Sequence, residues 1–446
     1  MRLPQTTGRQ LFLQDISEQV VIEGGSQLHG SVQAPPSKSH THRALIAASL
    51  SQRRSIIENP SQNEDIEATI AAIEAYGTHL SRDEKALIVR GPDHINTPED
   101  VIDCSESAST MRFVTPILAH AHGISVLTGG PSLRKRPMHL TIDCLGQLGV
   151  KCYSVRNDGH APLITFGGTY KGGNVQLVGN VTSQVISGLL FSAPLASQPT
   201  SIEITTMLES APYVKMTLQV LGDHGIEVTS DPNLRRFLIK GRQSVDSARH
   251  TIEGDYSSAA FLLAAGLVTG SKIHVSGLKT RASLQGDSEI VNILRTMGAE
   301  IDTNNDSVWT QPSRLHAISV DAGDCPDLVP PIAAAACYAE GTTRITNARR
   351  LRSKESNRLV SLSTELGKMG AKIEETEDGL RISGGNILTG ARVVSHRDHR
   401  VAMACSVAAL GAKGRTTISG AGCVAKSYPN FFDDLRTLGG DVRGWK

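Results

Sequence analysis

The residues best suited to chemistry begin at Pro35-Pro36-Ser37-Lys38-Ser39-His40-Thr41-His42-Arg43, just ahead of the apolar run 44–50. Two prolines stop a strand, and Ser37 or Ser39 can cap the next helix. Lys38 and Arg43 add two cations where the helix dipole is already positive. That arrangement is costly unless an anion sits there, and a helix N-terminus is a ready anion site. Taken alone, the stretch is equally well read as a capped helix with two solvated cations.

Similar turns recur. Asp103-Cys104-Ser105-Glu106-Ser107-Ala108-Ser109-Thr110-Met111-Arg112 offers hydroxyls and backbone N–H groups that can cradle a phosphate, or simply cap a helix. In Arg134-Lys135-Arg136-Pro137-Met138 the proline starts the next helix and fixes Arg136 near its N-terminus. Thr182-Ser183-Gln184 reads as another helix start, Ser210-Ala211-Pro212-Tyr213 as turn chemistry, and Asp324-Cys325-Pro326-Asp327 as a cap. Along Arg349–Arg358 a helical reading sets Lys354 and Arg358 four apart, with Glu355 three before Arg358. In His396-Arg397-Asp398-His399-Arg400, Asp398 caps a helix and aims Arg400 at an anion; no cysteine or carboxylate set with metal-ligand spacing accompanies the two histidines. Lys426 comes later in the same repeat. Walker A, GxSxG and HExxH patterns are missing, and no GxGxxG comes after a strand, which weighs against nucleotide-driven and triad chemistry.

These turns need a scaffold, and composition bounds it. At 446 residues the chain exceeds the usual limit of one core. A net charge of +1 means that anion binding must be local, and 4% aromatic residues disfavour a base-stacking surface, so neither nucleic acid nor a membrane is an expected partner. Seven scattered cysteines without CxxC fit free thiols in a reducing compartment. Met1–Gly25 lacks a continuous apolar segment, so no signal peptide is expected and the cytoplasm is the default location.

Repetition supplies the architecture. At intervals of roughly 70 residues a strand leads through a polar turn into a helix of small apolar residues, then to a strand, an amphipathic helix ending in glycine and a last strand. The apolar helices read RALIAASL, TMRFVTPILA, QVISGLLFSAPLA, SSAAFLLAAGLV, DLVPPIAAAACYA and RVAMACSVAALGA. They are apolar nearly all round and must be buried. The closing glycines are Gly77, Gly149, Gly225, Gly298, Gly370 and Gly439. The expected fold is therefore α/β: about six βαβαββ units, three per lobe, with buried helices and outer sheets. The expected lobes are 37–253 and a discontinuous one of 1–36 and 254–446. Parallel helices would bring the polar turns together at an interlobe cleft.

Taken together, PSKSHTHRAL, STMR, LRKRPM, TSQ, GDYSSAAFLLAA, LRSKESNR, DHRVAM and AKSYPNFF resemble the 5-enolpyruvylshikimate-3-phosphate synthase family, in the family's order and over nearly the whole chain. The resemblance implies a two-lobed inside-out barrel of six βαβαββ repeats. It implies a transferase that moves the enolpyruvyl group of phosphoenolpyruvate to the 5-hydroxyl of shikimate 3-phosphate through a tetrahedral ketal, releasing phosphate. No metal or organic cofactor is implied, and a monomer is expected. Carried over by motif, Lys38, Ser39, Arg43, Thr182, Ser183, Gln184, Ser210, Tyr213, Asp327 and Lys354 look like shikimate 3-phosphate contacts. Lys38, Ala108, Arg136, Gln184, Arg358, Arg400 and Lys426 match the phosphoenolpyruvate pocket. Asp327 matches the proton acceptor at the 5-hydroxyl, and Glu355 and Lys38 match candidates for proton transfer at the methylene carbon.

One turn departs from the family's Gly-Asn-x-Gly-Thr: Ser105, Glu106, Ala108 and Ser109 stand there. Two lost glycines restrict the backbone. Glu106 would repel an anion unless paired or turned away. The Ala108 methyl would narrow the phosphate end of the pocket. The related transferase acting on UDP-N-acetylglucosamine typically opens with Gly-Ala-Lys-Asn and carries a loop cysteine, neither of which matches here. A non-catalytic anion-binding module is disfavoured by Asp327 and Glu355.

Overall fold

A helix such as YSSAAFLLAAGLV has no polar face to give to water, so it is stable only when enclosed. In the computed structural model, which describes residues 18–444, the helix Tyr256–Val268 is buried from Tyr256 to Leu267. The signal-peptide expectation for Met1–Gly25 falls largely on 1–17, outside the described residues.

The chain divides into two compact units. Pro36–Glu253, joined by Leu284–Gly286, forms one. It contains α1 (Lys38–Ser49), α2 (Glu64–Ala75), α3 (Ala108–Leu118), α4 (His139–Gln147), α5 (Ser183–Ser192) and α6 (Ala211–Asp223). The small apolar helices α1, α3 and α5 lie in its core, and α3 packs along α5. Gly188 makes that approach possible: a Cβ there would stand 2.2 Å from the Arg112 carbonyl oxygen.

The second unit comprises residues up to Pro35, Gly254–Ser283 and Asp287 onward. It contains α7 (Tyr256–Val268), α8 (Ile290–Thr296), α9 (Val329–Ala336), α10 (Arg358–Lys368), α11 (His399–Gly411) and α12 (Phe431–Thr437). Here α7, α9 and α11 pack on one another. The DLVPPIAAAACYA helix is shorter than its apolar run: Pro326–Leu328 is a 3-10 turn, and Pro330 and Pro331 are tolerated because they fall in the first turn of α9.

Each unit carries three four-stranded sheets, and all six sheets have one design: a parallel pair extended by two antiparallel strands, except that Val20–Glu23 takes the place of one of these in the sheet of Arg392–Val394 and Arg415–Ser419. Strand Ile273–Ser276, for example, pairs parallel with Gly30–Gln33 and antiparallel with Ser307–Thr310. The strand faces alternate between more and less buried, as in Ser55–Glu58, so one face of each sheet covers the helices. The six glycines expected to close helices all take left-handed φ, between 74° and 104°. The fold class is the α/β repeat architecture that the sequence pattern implies, with helices inside and sheets outside in each unit.

Candidate active site

In the unit Pro36–Glu253 the polar turns precede buried helices. Ser37 caps α1, accepting the His40 N–H at 3.4 Å, which settles the choice between Ser37 and Ser39. Lys38 opens the helix and its Nζ donates to Asp65 Oδ2 at 2.8 Å. Ser39 presents its carbonyl to Arg43 Nη1 at 2.9 Å. Arg43 Nε donates to Thr217 Oγ1 at 2.8 Å, and the guanidinium carbon lies 5.3 and 5.7 Å from the Phe113 and Tyr213 ring centroids. Burial lowers the Arg43 pKa to about 10, partly opposed by Tyr213; the group stays charged at neutral pH.

Thr182 caps α5 and Ser183 is its first residue, buried. Gln184 Oε1 accepts from Arg112 Nη1 at 2.6 Å and its Nε2 donates to Ser109 Oγ at 2.8 Å. The second and third repeats are thereby tied at their helix starts. Ser210 precedes α6 in a left-handed conformation at φ 56° with no side-chain capping bond, an outlier of the kind that gathers at binding sites. Arg136 is buried, but Pro137 stands outside α4, which begins at His139 with Met138 before it, so the proline does not start the helix.

Ala108 is the buried first residue of α3, capped by Ser107. Glu106 is turned away from its helix: Oε2 accepts the Leu133 N–H at 2.7 Å and Oε1 the Ser132 N–H at 3.3 Å. The glutamate thus caps the 3-10 turn Leu133–Lys135 that carries the chain to Arg136. Ser105 retains a left-handed φ of 48°, a conformation glycine would adopt without strain.

In the other unit the charged residues form one network. Arg349–Arg358 is not a single helix, contrary to the helical reading. Arg349–Ser353 is a 3-10 turn, Lys354 is extended, and Asn357 caps a new helix of which Arg358 is the first residue. The break lets Arg358 turn inward. Its Nη1, Nη2 and Nε donate to Asp327 Oδ1, Glu355 Oε2 and Asp398 Oδ2 at 2.8, 2.6 and 2.8 Å. Burial works against its charge, yet Asp398, Glu355 and Asp327 more than offset that and raise its pKa above the ordinary value.

Asp327 also meets Arg400 Nη2 at 3.2 Å and Lys354 Nζ at 4.0 Å. Burial pushes its pKa up, but Arg400, Lys354 and Arg358 prevail and hold it well below the usual carboxylate range. Lys426 Nζ lies 3.6 Å from Glu355 Oε1. Asp398 has two tasks: Oδ1 caps α11 by accepting the Arg400 N–H at 3.0 Å, and Oδ2 receives Arg358 and Ser356. His396 and Arg397, just before that cap, both take left-handed φ. Glu365 on α10 pins the strained turn, accepting from Val394 N at 2.9 Å and pairing with His396 Nε2 at 2.8 Å.

Sequence reasoning did not single out Asp65, Ser257, Asp287, Ser356 or Glu365. Asp65 had a signal: it falls in the first turn of the helix after α1, where a carboxylate is favoured by the dipole and within reach of Lys38. The others carry none, because their roles depend on burial beside groups distant in sequence.

A family model described as EPSP synthase (3-phosphoshikimate 1-carboxyvinyltransferase) matches residues 22–435 of this chain. The chain belongs to that family. It is 45% identical over 423 residues to the 3-phosphoshikimate 1-carboxyvinyltransferase of Methanocella arvoryzae, covering 94% of this chain and 98% of the relative. It is 39% identical over 427 residues to that of Methanococcus maripaludis strain C5, covering 95% and 99%. Among solved structures, an EPSP synthase from Acinetobacter baumannii superposes with a TM-score of 0.78 at 26% identity, covering 95% of this chain and 99% of that one. Family membership and the fold therefore agree with the motif-level resemblance. Among the described residues no helix is long and apolar enough to cross a membrane.

Proposed function

We infer that this chain is a transferase that moves the enolpyruvyl group of phosphoenolpyruvate to the 5-hydroxyl of shikimate 3-phosphate, releasing phosphate on the shikimate route to aromatic amino acids. The observation that carries the reading is the Arg358 network: a carboxylate kept ionised, Asp327, beside a second carboxyl, Glu355, with Lys354, Arg400 and Lys426 around them.

Both substrates are anions, and phosphate leaves as an anion. Cations gathered at helix starts lower the cost of bringing them together and remove an entropic barrier. Lys38, Ser39, Arg43, Thr182, Ser183, Gln184, Ser210, Tyr213 and Lys354 would hold shikimate 3-phosphate. Arg136, Arg358, Arg400 and Lys426, with Lys38 and Gln184, would hold phosphoenolpyruvate against Ala108. The ionised Asp327 would accept the proton of the 5-hydroxyl as its oxygen bonds to C2 of phosphoenolpyruvate, while C3 takes a proton from Glu355 or Lys38. Loss of a C3 proton together with cleavage of the bond from C2 to the phosphate oxygen then regenerates the double bond. The chemistry requires both charged clusters to act on one substrate pair. We place the enzyme in the cytoplasm, as a monomer.

The test is phosphate release from phosphoenolpyruvate with shikimate 3-phosphate or UDP-N-acetylglucosamine as acceptor. Turnover only with shikimate 3-phosphate is expected; turnover only with the sugar nucleotide would overturn the assignment. Asp327→Asn is expected to lower kcat by at least about a hundredfold, the usual contribution of a positioned base.

A further inference from the structure

Asp287 is fully buried in the 3-10 turn Gly286–Glu289 and has no part in the mechanism above. Its Oδ2 accepts a hydrogen bond from Ser257 Oγ, while its Oδ1 is buried with no hydrogen-bond partner. A carboxylate so enclosed, with one oxygen unsolvated, is costly as an anion and much cheaper as the neutral acid. Ser257 is the link onward: its carbonyl accepts from Arg400 Nη1 at 3.5 Å, the nitrogen that also reaches the Asp327 carbonyl at 3.3 Å. The charged groups facing Asp287 are Asp327 from the turn Pro326–Leu328, Arg400 from α11 and Asp255 from the start of α7, and the buried Cys325 thiol, held neutral by its burial and by Asp287 itself, faces it from the residue before that turn.

We propose that Asp287 is a positioning residue for Arg400, holding the guanidinium's anchor Ser257 while neutral and drawing Arg400 away from phosphoenolpyruvate once it ionises. The inference rests on the functional reading given above, in which Arg400 holds phosphoenolpyruvate. Burial and the neighbouring Asp327 raise the Asp287 pKa to about 7, against the opposing pull of Arg400 and the Ser257 hydrogen bond. The two carboxylates flanking Arg400 therefore differ: Asp327 is held ionised, whereas Asp287 keeps its proton far more readily. Above that point the guanidinium faces a second negative charge, and a negatively charged substrate competes less well for it.

The experiment compares wild type, Asp287→Asn and Ser257→Ala by phosphate release between pH 6 and 8.5, with shikimate 3-phosphate saturating and phosphoenolpyruvate varied. Substrate ionisation is common to all three proteins, so differences between their curves belong to the protein. KM for phosphoenolpyruvate in wild type is expected to rise about tenfold more across this range than in Asp287→Asn, the order expected for one extra unit charge in a partly screened site. The effect on kcat is expected to be smaller. Ser257→Ala removes a donor that favours the ionised carboxyl, so its break in KM should move to higher pH. A merely structural Asp287 would shift KM by one constant factor at every pH; parallel wild-type and Asp287→Asn curves would overturn the inference while leaving the activity intact. Absence of wild-type turnover would overturn the functional reading and this inference together.

Discussion

Replacing Arg358 with glutamine takes one cation from three carboxylates at once. Asp327 keeps Arg400 at 3.2 Å, and Glu355 keeps Lys426 at 3.6 Å. Asp398 is fully buried and loses its arginine, retaining the Ser356 hydroxyl and the Arg400 N–H as donors. The expected cost is thus that of one broken buried ion pair, about 3–5 kcal/mol, rather than three times that. Denaturant unfolding at pH 7.5, followed by circular dichroism, reads it as a lower midpoint with an unchanged slope. The loss should fall on the transition of the unit containing Gly254–Ser283 and leave the other unit's transition in place. Asp398→Asn added to Arg358→Gln removes the stranded charge and should recover about 1–3 kcal/mol of coupling. The pH dependence has a definite sign. In wild type, the low Asp327 pKa contributes stability above the ordinary carboxylate range, and that contribution is lost as the solution is acidified. A loss under about 1 kcal/mol, or no recovery in the double variant, would refute the view of Arg358 as a desolvated clamp.

Glu106→Ala removes the cap on Ser132 and Leu133; a stability loss of about 0.5–2 kcal/mol by thermal melting is expected, with a raised KM for phosphoenolpyruvate through displacement of Arg136. Ala108→Gly removes the methyl at the buried start of α3, and glyphosate, which is longer than phosphoenolpyruvate, should inhibit the variant at lower concentration; identical inhibition curves would count against the narrowed pocket. The buried pair His224–His250, with Nε2 atoms 3.0 Å apart, has both pKa values lowered to about 4 by burial. Protonation therefore opposes folding: stability is complete above about pH 6.5 and is lost as pH falls towards 4, by at most about 3 kcal/mol per imidazole. The melting temperature of His250→Gln should fall less than that of wild type between pH 7 and 4.5.

The repeat was legible because burial leaves a mark along the chain. Helices with no polar face, such as Val401–Leu410, and a glycine at each expected helix end are local signals of a global arrangement. The polar turns were legible for the same reason, since Ser107, Thr182 and Asp398 must cap the helices behind them. The segment Arg349–Arg358 was misread because charges spaced for one helix face look the same whether the backbone continues or breaks. The break comes from Asn357, which accepts the Val360 N–H at 3.4 Å, together with three carboxylates that reward turning Arg358 inward. Glu106 looked like a charge in the wrong place because its partners, the amides of Ser132 and Leu133, lie beyond a whole helix and strand. Asp287 left no trace at all: a carboxylate in a polar turn reads as solvated until the packing around it is known.

The strands Val20–Glu23 and Gly30–Gln33 have a consequence for biosynthesis. Val20–Glu23 finds its neighbours in Arg415–Ser419 and Asp441–Arg443, and Gly30–Gln33 finds its own in Ile273–Ser276. As the ribosome releases the chain, the segment Pro36–Glu253 can close its three sheets once Arg249–Thr251 has emerged to lie beside Ser55–Glu58. Val20–Glu23 must wait, unpaired, until Arg415–Ser419 and Asp441–Arg443 have been joined. Nascent chains stalled near residue 290 should thus protect the inner segment from protease while Val20–Glu23 remains cleavable, and release of Arg415–Ser419 and Asp441–Arg443 is the event that gives this strand its neighbours.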